Sequence, residues 1–193
     1  MLNPASQIEL LHFILKEQIS PNDLCIDATC GNGFDTLFLA RLTLSGKVYA
    51  FDVQETALSR TKEKLEKEGL LDRVQLIHAS HKTFPEYIQE GSIKAIVYNL
   101  GYLPGSDKKV VTTKESTLES VENALKLLRQ DGLLCLMLYT GHREGADEAV
   151  SLKEWAKNLP SHRYHVLHCH AMNRNLCPEL MLILGTPPRG GNS

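Results

Sequence analysis

What this chain lacks narrows it before any motif is read. Cysteine is sparse. The five residues Cys25, Cys30, Cys135, Cys169 and Cys177 are odd in number and contain no Cys-x-x-Cys pair, which argues against a disulfide framework. No stretch of the sequence approaches the roughly 20 consecutive apolar residues that a membrane span needs. The opening segment Met-Leu-Asn-Pro-Ala-Ser-Gln-Ile-Glu has no basic stretch leading into an apolar one. No secretory signal is read there, and a cytoplasmic protein is expected. An excess of one charge is missing too: the formal net charge is −2, so a nucleic-acid partner would have to be gripped through a local patch. What remains is ordinary globular composition, 193 residues with 42% hydrophobic and 23% charged, enough for one domain with a full core.

Short apolar runs alternate with segments of helical period. Leu24-Cys25-Ile26 leads into Asp27, Val48-Tyr49-Ala50-Phe51 into Asp52, and Val74-Gln75-Leu76-Ile77 into His78. Residues 93–98 lead into Asn99, and 133–138 into Tyr139. Nearly continuous apolar strands imply burial on both faces, hence a parallel sheet with helices on either side. A leading helix is expected over residues 6–18, ended by the turn Ser20-Pro21-Asn22-Asp23. Residues 54–68 read as a second helix, with Gly69 as its C-terminal cap. Leu118, Val121, Leu125 and Leu128 mark another, opened by a Thr112/Glu115 capping box and stopped at Asp131-Gly132. Residues 164–171 and 179–184 are joined by seven residues, 172–178. That is too short for a helical crossover, so these two strands should be antiparallel neighbours. The expected architecture is α/β and Rossmann-like: a mostly parallel seven-stranded sheet, its last strand antiparallel, in the class I methyltransferase layout. One domain should span 1–186, followed by a disordered tail at 187–193.

The first strand turns through Asp27-Ala28-Thr29-Cys30-Gly31-Asn32-Gly33-Phe34-Asp35-Thr36. Gly31 and Gly33 let backbone approach a ligand, and the following helix presents free N–H groups. The third glycine of a dinucleotide fingerprint is absent, with Thr36 in its place, which argues against a tightly held pyrophosphate. Asp27 would repel a pyrophosphate but suits the ammonium of a methionine moiety, as carried by a sulfonium cofactor. Asp52 lies 21 residues beyond Gly31, where a carboxylate accepts hydrogen bonds from ribose hydroxyls in nucleoside cofactors generally. Ser80 and His81 follow the third strand and are expected near an adenine. Cys30 has no histidine base patterned to it and is expected to pack rather than react.

The fourth strand ends in Asn99-Leu100-Gly101-Tyr102-Leu103-Pro104, at the switch point where open α/β sheets bind ligands. Amine methyltransferases carry Asn/Asp-Pro-Pro-Tyr/Phe at this point, with the side-chain oxygen and a backbone carbonyl accepting hydrogen bonds from the target nitrogen. Here Leu-Gly replaces Pro-Pro. Together with Ala50-Phe51-Asp52-Val53-Gln54-Glu55, Gly105-x-Asp107-Lys108 and Tyr139-x-Gly141-His142-x-x-Gly145, these stretches are similar to the YtqB-type rRNA methylase-like family. The resemblance runs from about residue 20 to residue 184.

That resemblance implies an S-adenosylmethionine-dependent methyltransferase, with S-adenosylhomocysteine as product, acting on the aminomethyl group of wobble (2-thio)uridine in the tRNA anticodon loop. It implies cofactor contacts from Asp27, Thr29, Cys30, Gly31, Asn32, Gly33, Asp35, Thr36, Asp52, Val53, Gln54, Ser80, His81 and Asn99. Asn99 and the Leu100/Gly101 backbone would orient the amine, with Tyr102 and Tyr139 framing the uridine. Asp107, His142 and Tyr139 are the candidate bases. RNA contacts are expected from Tyr102, Lys108, Lys109, His142, Arg143 and Arg174, with Lys114 nearby. No DNA or membrane partner is expected, and a homodimer is. His162, His165, His168 and His170, with Cys169 and Cys177 close by, match no closed zinc spacing, so no metal is expected. Methylation of an rRNA base or another amine stands as the alternative. An NAD-dependent oxidoreductase and a non-catalytic RNA-binding module are the remaining rivals.

Overall fold

The structure, a computed structural model, describes residues 6–100, 114–141, 143–174 and 177–186. The chain opens with helix α1 (Gln7–Gln18), whose N-terminus is capped by the Ser6 hydroxyl accepting the Glu9 N–H at 3.3 Å. Strand β1 (Leu24–Asp27) and helix α2 (Phe34–Leu42) follow, then β2 (Lys47–Asp52) and α3 (Glu55–Lys67). A single 3-10 turn leads into β3 (Val74–His78), after which come β4 (Ile93–Asn99), α4 (Lys114–Leu127) and β5 (Leu128–Leu138). The last elements are α5 (Arg143–Lys157), β6 (Tyr164–Cys169) and β7 (Glu179–Gly185). The capping residue Thr112 and the 187–193 tail lie outside the described residues.

These strands form one seven-stranded sheet in the order β3-β2-β1-β4-β5-β7-β6. β7 runs antiparallel to both β5 and β6, and β1 through β5 pair in parallel. The expected Rossmann-like, mostly parallel architecture with one antiparallel strand is the observed one. Its physical cause is coverage of both faces. On β4, Ala95 and Val97 pack toward Leu11 and Leu15 of α1, Leu39 of α2 and Leu58 and Leu65 of α3. The alternate residues Ile96 and Tyr98 pack toward Val121 and Leu125 of α4 and Ala149 and Leu152 of α5. A strand that is apolar at nearly every position is stable only when both of its faces are covered. No helix among the described residues is long and apolar enough to cross a membrane.

Two local expectations need correcting. Leu128 and the Asp131-Gly132 stop were read as the end of a helix; instead α4 ends at Leu127, and residues 128–138 are strand. The register jumps there, since Leu128 pairs with Ile93 but Leu133 pairs with Ala95, which leaves a bulge on β5. Lys94, buried in the otherwise apolar β4, donates to the Asp131 carbonyl at 2.6 Å and to its carboxylate at 3.0 Å. The bulge thus exists around a buried ammonium, which hydropathy alone reads as a misfit. The sixth strand also stops at Cys169, two residues before its expected end.

Candidate active site

Because β1 to β3 spread one way from the centre and β4 and β5 the other, the crossing point lies between β1 and β4. Their carboxyl ends carry Asp27 and Asn99, and this is where an open α/β sheet leaves a crevice.

The glycine turn is built from that end. Gly31 has φ 50° and Gly33 has φ 76°, both in the left-handed region. A Cβ added at Gly33 would sit 2.6 Å from the Thr61 hydroxyl of α3, so glycine is required there for close approach as well as for conformation. The Asp52 carboxylate closes the turn from β2: it accepts the Gly31 N–H at 2.8 Å and the Gln54 N–H at 2.9 Å. Thr29 ties the same turn to β4, its hydroxyl accepting the Asn99 backbone N–H at 2.8 Å. Lys64 of α3 donates to the Asn32 carbonyl and lies 3.5 Å over the exposed Phe34 ring. Val53 is exposed beside Asp52.

Asp27 is wholly buried beneath this turn. It accepts the Thr29 N–H at 3.2 Å and the Thr36 hydroxyl at 2.6 Å. Burial, then the neighbouring Asp35 carboxylate, pushes Asp27 up to about 7, against the opposing hydrogen bonds from Thr36 and Thr29. Thr36, the residue that breaks the dinucleotide fingerprint, is thus the hydroxyl that satisfies the buried carboxylate. Cys30 is buried and its thiol is pushed far up, chiefly by burial; it packs rather than reacts.

Asn99 is held from three sides. Its backbone is fixed by Thr29, its carboxamide nitrogen donates to Asp35 at 3.0 Å, and its carboxamide oxygen accepts the Tyr139 hydroxyl at 2.9 Å. Asp35 in turn receives the His12 imidazole Nε2 at 2.7 Å. A carboxylate can only accept and the tyrosine hydroxyl here donates, so the amide orientation is set by chemistry rather than assumed. Burial, then Asp35, raises Tyr139 above the ordinary phenol value. It therefore stays protonated at neutral pH and serves as a donor to Asn99 rather than as the base once considered for it.

His81 is not turned to the glycine turn. Its ring is buried and hydrogen bonded at 2.8 Å to Ser120 of α4, edge-on to Tyr98 with ring centres 5.6 Å apart. Burial, then Lys82, pulls it down to about 4, so it is a neutral piece of the core beneath α4. Ser80 accepts the Lys82 N–H at 3.3 Å. Leu100 follows Asn99 and its N–H reaches the Met137 carbonyl at 3.4 Å. Arg143 and Arg174 are exposed. Gly101, Tyr102, Asp107, Lys108, Lys109 and His142 lie outside the described residues. His168 pairs with Glu179 at 2.8 Å and stacks on His170 with ring centres 5.2 Å apart; among the described residues no three such groups converge as a metal would require.

Three carboxyl groups, Asp27, Asp35 and Asp52, therefore crowd one glycine turn, and among the described residues the basic-type side chain bonded to them is His12, on Asp35. Such a set repels a pyrophosphate and suits a ligand that is itself positively charged. The residues present thus fit a sulfonium nucleoside rather than a dinucleotide.

Comparison with known proteins bears directly on this geometry. A family profile described as "Putative rRNA methylase" matches residues 48–185. This chain belongs to that family. Across 185 residues this rRNA methylase-family chain is 31% identical to "tRNA (mnm(5)s(2)U34)-methyltransferase, chloroplastic" of Arabidopsis thaliana, covering 91% of this chain and 68% of the relative. Among solved structures it matches the "putative rRNA-methylase" of Clostridium thermocellum with a TM-score of 0.89 at 34% identity, over 93% of this chain and 97% of the other. It also matches "a putative methyltransferase from streptococcus mutans in complex with SAH" with a TM-score of 0.84 at 38% identity, over 96% and 99%. The fold described above is therefore that of a methyltransferase family.

His12 escaped the sequence reading, as did Thr61 and Lys64. Each is an ordinary helical residue by pattern, and only packing brings it to the turn.

Proposed function

We propose that this protein is an S-adenosylmethionine-dependent RNA methyltransferase that N-methylates the aminomethyl group of a wobble uridine in tRNA. The observation that carries this reading is Asn99: a carboxamide held at the switch point by Asp35, which as an acceptor takes its nitrogen, and by Tyr139, which then donates to its oxygen. The printed activity of the Arabidopsis relative supports the choice of RNA and nucleotide, and the family's S-adenosylhomocysteine-bound structure supports the cofactor.

Bound at the glycine turn, S-adenosylmethionine supplies an electrophilic methyl group on a sulfonium. The chain's own residues then do three things. Asp35 and Asp52 give the turn a negative potential that favours cationic ligands, to which the buried Asp27 adds as pH rises through about 7. Asn99 presents one remaining lone pair of its oxygen to an N–H of the target amine, which aims the nitrogen's own lone pair along the attack line. Tyr139 holds that oxygen in place without taking the proton, because its phenol is pushed up by burial. No covalent enzyme intermediate is required, and positioning carries the rate.

The test is methyl transfer from labelled S-adenosylmethionine to tRNA isolated from cells lacking this gene, read by mass spectrometry of the nucleosides. A single new methyl on aminomethyl-type uridine supports the reading. Transfer to rRNA fragments and not to tRNA refutes the assignment of substrate. Asn99→Ala should reduce turnover by about a hundredfold, as loss of an aligning contact does, while leaving cofactor affinity within about twofold. Unchanged turnover in that variant would remove the proposed role.

A further inference from the structure

Helix α1 lies over β5 and β7, on the face shared with α2 and α3, and precedes every element of the glycine turn in the chain. Yet it reaches the site. The His12 ring lies flat on Phe38 of α2, with ring centres 4.0 Å apart and planes 6° from parallel. From there its Nε2 meets the Asp35 carboxylate at 2.7 Å, and the other Asp35 oxygen accepts the Asn99 carboxamide nitrogen at 3.0 Å. Asn99 then accepts from Tyr139 at 2.9 Å. The result is an unbroken line, His12–Asp35–Asn99–Tyr139, drawn from α1, α2, the end of β4 and the residue just past β5.

We propose that His12 is a positioning residue for methyl transfer, acting through Asp35 to keep the Asn99 carboxamide oxygen turned toward the target amine. This rests on the reading of Asn99 given above. The physical reason is the symmetry of an amide: rotated by 180°, the same side chain would present N–H donors where an acceptor is needed. Asp35 prevents this only while it remains an acceptor with one oxygen aimed at the Asn99 nitrogen. His12 satisfies the other oxygen and so fixes the plane of the carboxylate. Without it, Asp35 is free to turn, and its second oxygen no longer points at the Asn99 nitrogen. A buried, oriented partner behind a reacting group commonly governs how well that group works.

The ion pair could instead serve only to pin α1 onto α2, and a set of variants separates the two roles. His12→Phe keeps a ring to stack on Phe38 but has no N–H, whereas His12→Gln keeps an N–H donor of similar reach. His12→Phe should lower the thermal transition, since Asp35 loses a hydrogen bond, and, at a temperature where it stays folded, lose about tenfold in kcat with S-adenosylhomocysteine Kd and the KM for tRNA within about twofold. His12→Gln should recover most of the turnover. In an Asp35→Asn background the His12→Phe change should cost nothing further, because its effect runs through Asp35. A fully active His12→Phe enzyme, or losses that multiply in the double variant, would overturn the proposal.

A readout in the cofactor-free protein keeps this test separate from that of the substrate. The Asn99 carboxamide proton held on Asp35 should exchange slowly with solvent in the ¹⁵N-edited NMR spectrum of the parent, and should shift and exchange faster in His12→Phe. Identical signals in both would overturn the proposal even if tRNA is not the substrate. Absence of methyl transfer by the parent would instead refute the substrate reading alone.

Discussion

Thr36→Val offers a sharp test of how the glycine turn is built. Valine keeps the shape of threonine and removes only the hydroxyl, which here donates at 2.6 Å to a wholly buried Asp27. Losing a hydrogen bond to a charged group typically costs about 1.5–3 kcal/mol. For a domain of this size that is a fall of roughly 3–12 °C in Tm. The penalty should depend on pH, and its sign follows from the direction of the Asp27 shift. Asp27 is raised from 3.8 to about 7 in the folded chain, so folding favours its protonated form. The stability this gives is present in full below about 4 and is lost as pH rises through about 7, at up to about 1.4 kcal/mol per pH unit. Thr36 stabilises the ionised form, so its removal should matter most at pH 8 and least near pH 5.5, where Asp27 is mostly protonated. Differential scanning fluorimetry of parent and variant in the absence of cofactor, across that range, measures both effects. An equal loss of Tm at both ends would refute the assignment of this hydroxyl to an ionisable Asp27.

Two further outcomes follow from the same geometry. Gly33→Ala must place a Cβ at φ 76° and 2.6 Å from the Thr61 hydroxyl. It should destabilise the chain by about 1–3 kcal/mol and abolish measurable S-adenosylhomocysteine binding by calorimetry, while Gly69→Ala, with nothing within 4 Å, should leave binding intact. Asp131→Ala removes the carboxylate beside the buried Lys94 ammonium, and denaturant unfolding should show a loss of about 1–3 kcal/mol, whereas Lys94→Met should cost less because it removes the buried charge itself.

The His12 proposal shares the Asn99 geometry with the substrate reading, whereas the Thr36 test rests on the Asp27 contact. A protein could pass the Thr36 test and fail the Asn99 test, since the first concerns the turn and the second the acceptor.

The sequence by itself was enough for the architecture, because its information there is local and repeated. A strand covered on both faces is apolar nearly throughout, as residues 93–98 are but for Lys94, and a seven-residue link between residues 171 and 179 can only make neighbours antiparallel. The strand ends Asp27, Asp52 and Asn99 were legible for the same reason: each is a polar residue closing an apolar run, and parallel strands in one sheet bring such ends to one edge. Tertiary structure alone decided what those side chains touch. Leu128 sits at the same i+3 spacing whether it closes a helix or opens a strand, and only its pairing with Ile93 around the buried Lys94 settles the choice. His81 follows a strand just as a ligand contact would, but α4 packs over it and takes its ring. His12 lies far from Asn99 along the chain on an unremarkable amphipathic helix, and helical periodicity says which face is buried but not which carboxylate that face will meet. Side-chain pairing across elements depends on how helices settle onto the sheet, a property of the whole packed core that no local pattern encodes.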